Sequence, residues 1–289
     1  MKKPTSNQPN TRAAFTLLEL LAVITIISIL LALILPAISG VMRNARVAQV
    51  RAEITRLETA ISSFKAEFGI EPWSEIIVTE DPGTTAWSAA SRTKLRRLFP
   101  QFTFSGQIDF NGDGAFDGDT SGNDATLSTG EISLTASECL TFFLGGMRTA
   151  GTTLPETSLI GFSKNPLAPF SRAGSNRTTT FYEFQTDRFI DADGDGMLEY
   201  LDPTEGQGKP YHFASSNNGQ GYSSTTSYYV DGTGKPWKRD SHQIISPGED
   251  GEFGPTSATP PIYTDGMDLT GNRLTEADNI TNFADGRLD

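Results

Sequence analysis

Hydrophobic positions divide the chain into three regimes. From Phe15 to Leu35 the residues are apolar on every side, with one charge, Glu19, in 21 positions. An α-helix of that length rises about 31 Å, enough to cross the hydrocarbon core of a bilayer. After Pro36 and Gly40 the pattern turns amphipathic. Val47, Val50, Ile54, Leu57, Ile61, Phe64 and Phe68 recur three and four apart, with Arg43, Arg46, Arg51, Glu53, Arg56, Glu58 and Lys65 between them. That is one apolar stripe on a water-facing helix, and about three heptads are too few for a free-standing coiled coil. Gly69, followed by Pro72, supplies a stop. The spacing predicts one continuous helix from Phe15 to Phe68, about 80 Å long, its first half in a membrane and its second half laid on a globular domain.

The third regime, from Gly69 onward, has short apolar stretches between loops rich in Gly, Ser, Asn and Asp. Ser91–Leu98 reads as a short helix ended by Pro100, Phe102–Phe116 as strand-turn-strand, and Glu138–Leu144 as a short apolar element. Thr178–Ile190 and Tyr222–Val230, rich in aromatics and Thr, read as strands, with Gln243–Ile245 as another. The 28 Gly and 16 Pro of the 289-residue chain fit such a loop-rich β region, large enough for one large or two small cores.

Charge orders these regimes across a membrane. Residues 1–14 carry Lys2, Lys3 and Arg12 and no acid, so the positive-inside rule keeps them cytoplasmic and sends the chain beyond the helix across. Losing those three positive charges takes the net charge from −12 to −15. So acidic an exterior argues against nucleic acid or anionic lipid headgroups as partners and suits divalent cations. Glu19 inside the apolar helix is expensive, about 2.5–3.5 kcal/mol at a helix centre and less near an end, so it calls for a partner. The plainer alternative is a secretory signal peptide or signal anchor with Glu19 at interface depth.

Two loops have the spacing of a calcium site. Asp191-Ala192-Asp193-Gly194-Asp195-Gly196-Met197-Leu198-Glu199-Tyr200-Leu201-Asp202 places oxygens at positions one, three, five, nine and twelve and Gly at six, with Asp202 where a bidentate Glu is usual. Asp109, Asn111, Asp113 and Asp117 repeat positions one, three, five and nine, with Thr120 at twelve. The alternative is solvated turns held by Asx hydrogen bonds. Catalytic patterns are sparse: His212 and His242 are the only histidines, Cys139 is the only cysteine, and no nucleophile-elbow, zinc or phosphate-loop pattern is present. The expectation is a protein without enzymatic activity and without an intrachain disulfide.

Ala14-Phe15-Thr16-Leu17-Leu18-Glu19 resembles the processing site of type IV pilins and pseudopilins, in which a small residue, here Ala14 in place of the usual Gly, precedes Phe-Thr-Leu-x-Glu and a long apolar helix. The resemblance implies cleavage by a prepilin peptidase between Ala14 and Phe15 and methylation of the new amino group on Phe15. It also implies pairing of Glu19 with a neighbouring subunit's N-terminal ammonium, the partner a charge in a dry helix bundle needs. Pro36 stands where the family often carries a helix-bending proline. Phe64–Pro72 is similar to the family's helix exit. The runs Ser246-Pro247-Gly248-Glu249-Asp250-Gly251 and Glu276-Ala277-Asp278-Asn279-Ile280 resemble the terminal loop of the major pseudopilin of type II secretion. By that resemblance Asp250 and Asp278 give carboxylates to calcium, with Asn279 in place of a second acid.

The fold implied is α+β, a pilin fold: leader 1–14, transmembrane and filament-core helix 15–38, amphipathic helix half 39–68, and a periplasmic β-rich domain 69–289 with an insertion at about 75–205. The partners implied are further copies in a helical filament, the prepilin peptidase and methyltransferase, the inner-membrane assembly platform and minor pseudopilins. A single-pass inner-membrane precursor would pass into a periplasmic pseudopilus. Alternatives are a type IV pilin for adhesion or motility, a minor pseudopilin, a membrane-anchored calcium-binding surface protein, or a hydrolase.

Overall fold

The computed structural model describes residues 17–121, 126–149, 151, 154, 156–204, 206, 208–223, 227–254 and 260–288. Its architecture is α+β, a long N-terminal helix followed by small antiparallel sheets, consistent with a pilin-like fold. Contacts divide the chain into residues 1–45 and 46–289. Helix α1, Leu17–Phe68, is helical without a break through Pro36.

In the first unit the helix is apolar all round and exposed all round. Leu17–Ile34 has a mean hydropathy of 2.9, and none of it is buried. Thr25 and Ser28 turn their hydroxyls onto the carbonyls of Leu21 (2.8 Å) and Ile24 (2.7 Å). Both polar groups are thus satisfied within the helix, as a hydrocarbon surround requires.

In the second unit the amphipathic stripe is buried where periodicity places it. Val50, Ile54, Leu57, Ile61 and Phe64 are buried, while Val47 and Phe68 are half-buried against the same core. Glu53 departs from the pattern: it is polar by sequence yet only 3% exposed. Helix α1 ends at Gly69, whose φ of +76° few other residues adopt and whose N–H donates to Lys65 O at 2.8 Å.

Among the described residues, two further α-helices and seven strands complete the unit. Strands β1 (Glu75–Thr79) and β2 (Glu131–Thr135) pair antiparallel, with Ile76 opposite Leu134 and Val78 opposite Ile132. Helix α2 (Ala89–Leu98) starts at Ser88, whose Oγ accepts the Ser91 N–H at 3.0 Å, and stops before Pro100. Helix α3 (Ala136–Gly145) is buried along almost its whole length and packs on β1, β2, β4 and β5. The short strands β3 (Phe189–Ile190) and β4 (Glu199–Tyr200) form a second pair. A third sheet runs β5 (His212–Ser215), β6 (His242–Ser246), β7 (Ile280–Thr281), with β6 central and buried. One large aromatic-rich core and one smaller cluster around Tyr229, Tyr263 and Leu288 fill the interior.

One strand expectation is overturned and two are cut back, Thr178–Ile190 to the two residues of β3 and Tyr222–Val230 to isolated bridges at Val230. Phe102–Phe116 contains no strand. Phe102, Phe104 and Phe110 instead close around Trp87 with ring centroids 5.4–6.0 Å apart, so aromatic anchoring sets the path. Thr178–Ile190 is irregular up to a 3₁₀ turn at Thr186–Arg188, because Phe181 packs on Phe64 and Phe68 of α1 while Tyr182 reaches Glu53. Of Tyr222–Val230, residues 224–226 lie outside the described residues; the remainder is irregular, with Tyr222 stacked on Tyr228 at 4.6 Å.

Candidate functional site

Ala14 and Phe15 lie outside the described residues, as does the side chain of Pro36. Glu19 stands in the first turn of α1, where the positive end of the helix dipole favours a carboxylate. Leu17, Leu18, Leu20 and Leu21 beside it are all exposed. An apolar surface this extensive is suited to lipid or to other helices.

The two Asp-rich loops, 82 residues apart in sequence between Asp109 and Asp191, are brought together. Asn111 Nδ2 donates to Asp195 O at 3.2 Å, and Arg148 Nη1 donates to Gly196 O at 2.5 Å. A Cβ on Gly196 would come 2.8 Å from that of Asn111, so the contact requires glycine. Within the 191–199 loop, Gly194 N–H donates to Asp191 Oδ1 (2.8 Å), Met197 N–H to Asp195 Oδ1 (2.7 Å), and Ala192 N–H to Glu199 Oε2 (2.9 Å). Asp202 is held elsewhere, by the Thr204 N–H at 2.8 Å and by the hydroxyl of Ser246 on β6. A residue that the sequence does not mark as a ligand takes a place in this cluster: Glu138, in the first turn of α3. Glu138, Asp193 and Asp195 each present a carboxylate oxygen within 4.8 Å of the others. Burial, reinforced by the neighbouring acids, pushes the carboxyls of Glu138 and Asp195 well above their usual range. The sequence signal for Glu138 was Thr135-x-x-Glu138, a capping box, in which Thr135 N–H donates to Glu138 Oε2 at 2.8 Å.

The 109–117 loop already has a cation. Arg172 Nη1 lies 3.0 Å from Asp109 Oδ2, and Asp109 Oδ1 accepts the Gly112 N–H at 2.6 Å. Asp113 Oδ1 caps the Ala115 N–H at 2.7 Å in an Asx turn. From below, Glu80 accepts the N–H groups of Phe110 (2.6 Å) and Gly118 (3.0 Å). Burial pushes the Glu80 carboxyl up to about 7, against those hydrogen bonds.

The C-terminal halves do close into a loop. Asp278 Oδ2 accepts N–H groups from Glu249 (2.5 Å) and Asp250 (3.1 Å). A Cβ on Gly248 would meet Asp278 O at 2.4 Å, leaving only glycine for that approach. Asp278 Oδ1 and Asn279 Oδ1 are buried without a hydrogen-bond partner. Two orphaned oxygens beside Asp250 are a donor set that fits a hard cation such as calcium. Burial and the nearby Asp278 raise the Asp250 carboxyl.

Cys139 and the two histidines each lie against a protein oxygen. Cys139 is fully buried, its Sγ 3.3 Å from Leu134 O. His212 Nε2 lies 2.8 Å from Ser227 O, and His242 Nδ1 lies 3.2 Å from Glu71 Oε2.

The family model described as the prokaryotic N-terminal methylation motif matches residues 9–35. With the apolar helix that follows, the match supports a type IV pilin-like chain; it implies processing by a prepilin peptidase and association with a membrane. It covers the motif alone and singles out no particular member of that class. No curated protein and no solved structure matches the chain.

Proposed function

We propose that this chain is a structural subunit of a type II secretion pseudopilus. Cleavage between Ala14 and Phe15 frees an amino group that is methylated, and Glu19 meets the corresponding ammonium of a neighbouring subunit. The Leu17–Ile34 helices pack into the filament core, and the globular unit faces the periplasm with calcium in its C-terminal loop. The observation that carries this reading is the methylation motif at 9–35 running directly into a span with no buried residue. A helix so apolar is stable only when something covers it, and in a filament sister helices do so after lipid has. The lone cysteine and the closing of Asp250 against Asp278 favour the pseudopilin over an adhesive pilus.

Intact-mass measurement of the membrane-extracted protein tests it. The expected mass is that of a chain beginning at N-methylated Phe15; an uncut N-terminus, or a cut beyond Ser39, overturns the reading. Cysteine cross-linking between α1 helices then separates filament from lone anchor: ladders are expected, and dimers or nothing would refute polymerisation.

A further inference from the structure

Two observations, independent of one another, meet at the N-terminus of α3. The first is the spacing of Asp191, Asp193 and Asp195 followed by Gly196, a loop that gathers hard oxygens around a calcium ion. The second is an unsatisfied atom. Glu138 is 2% exposed; its Oε2 serves the capping box, and its Oε1 has no hydrogen-bond partner. A buried carboxylate oxygen without a donor is rare, because its desolvation is then uncompensated. No donor meets that oxygen, and the Glu138 carboxylate lies instead against other acceptors, an oxygen of each of Glu138, Asp193 and Asp195 falling within 4.8 Å of the others. The loop's own twelfth position is lost to it, since Asp202 is held by Ser246 and Thr204.

We infer that Glu138 completes a calcium site with Asp193 and Asp195, a ligand supplied from 53 residues upstream of the loop's first position, Asp191, rather than from the loop's end. An ion there turns three mutually repelling carboxylates into a bond between α3 and the 191–199 loop. Because Asn111 donates to Asp195 O, it also fixes the 109–117 loop that leans on the first. The donors are all oxygen, and one of them comes from a rigid helix. That set matches a hard cation with a large, flexible shell, calcium rather than magnesium. The site is separate from the C-terminal loop around Asp278 and does not rest on the pseudopilus reading.

Isothermal titration of the full chain in detergent, stripped with chelator and titrated with calcium chloride, tests the assignment. Glu138→Gln keeps the capping acceptor and the volume of the side chain, and should remove one equivalent of bound calcium. Asp193→Asn, at an exposed position, should weaken the same equivalent by about tenfold or more. Asp278→Asn should leave it untouched. In chelator, Glu138→Gln should melt at or above the parent, which shows that it folds; in calcium it should lose part of the parent's rise in melting temperature. The inference is overturned if Glu138→Gln binds as many ions as tightly as the parent, or if Asp278→Asn abolishes all binding. It is overturned equally if the parent takes up no calcium at millimolar concentration, or binds magnesium as tightly.

Discussion

Replacing Glu53 by Ala tests how α1 is fastened to the globular unit. Glu53 shares a helix face with Val50, Ile54 and Leu57, all buried. Its carboxylate receives two 2.8 Å bonds from Arg188 and hydroxyl donors from Tyr182 (2.8 Å), Tyr211 (2.9 Å) and Tyr200 (3.3 Å). Burial works against the charge, but the Arg188 guanidinium and the tyrosine hydroxyls outweigh it and hold the carboxyl below its usual range. Arg188 is itself largely enclosed, its guanidinium 4.3 Å from the Tyr200 ring centroid. Truncation to Ala leaves that cation and three hydroxyls without their acceptor. Stranding one member of a buried pair costs about 3–5 kcal/mol. For a unit of this size each kcal/mol is about 2–4 °C, so the melting temperature should fall by roughly 6–20 °C. Trp73, Trp87 and Trp237 all lie within residues 46–289, so tryptophan fluorescence of the full chain in detergent reports on that unit alone. Replacing both partners, Glu53→Met with Arg188→Met, should recover much of the loss, because no charge is then left buried. A Glu53→Ala protein that melts within about 2 °C of the parent would refute the reasoning.

Three other predictions follow the same logic. Glu71, 3.0 Å from Lys65 Nζ and 3.2 Å from His242 Nδ1, is held at about 2: burial, the largest single influence, raises it, and the hydrogen bonds and attraction from His242 and Lys65 together outweigh that. Its folded pKa is lowered, so its contribution is present above the ordinary value of 4.5 and is lost as pH falls through about 2. The stability gap between parent and Glu71→Gln in urea should therefore be about 3 kcal/mol near neutrality and close towards pH 2; a constant gap would contradict it. Glu19→Ala should insert into the membrane normally yet give several-fold less cross-linked filament, since the intersubunit ammonium has lost its partner; an undiminished yield would count against the pairing. Asp250→Ala should lower the melting temperature in calcium and respond less to chelator than the parent, whereas identical curves would remove calcium from the C-terminal loop.

Local pattern determined α1 and its division of labour. A period of three to four residues is a property of the helix itself, so Val50, Ile54, Leu57, Ile61 and Phe64 go inward whatever they meet. The unbroken apolar run before them is long enough to mark a membrane span without any tertiary contact. Helix α2 and strand β6 were legible for similar reasons, a cap and stop in one and a β-rich apolar run in the other. The tertiary structure decided the rest. Strands of two residues, such as β3, β4 and β7, are too short to leave a period, and aromatic residues that anchor loops mimic strands at 102–116 and 178–190. Glu53 looks like any surface acid until Arg188 and three tyrosines arrive from more than 120 positions away. Glu138 reads as the start of a short apolar element, and Asp202 as a ligand, until folding sets the first beside Asp193 and Asp195 and ties the second to Ser246. Carboxylates acquire their partners from non-local neighbours, and sequence spacing constrains only the contacts a single helix turn or loop can make.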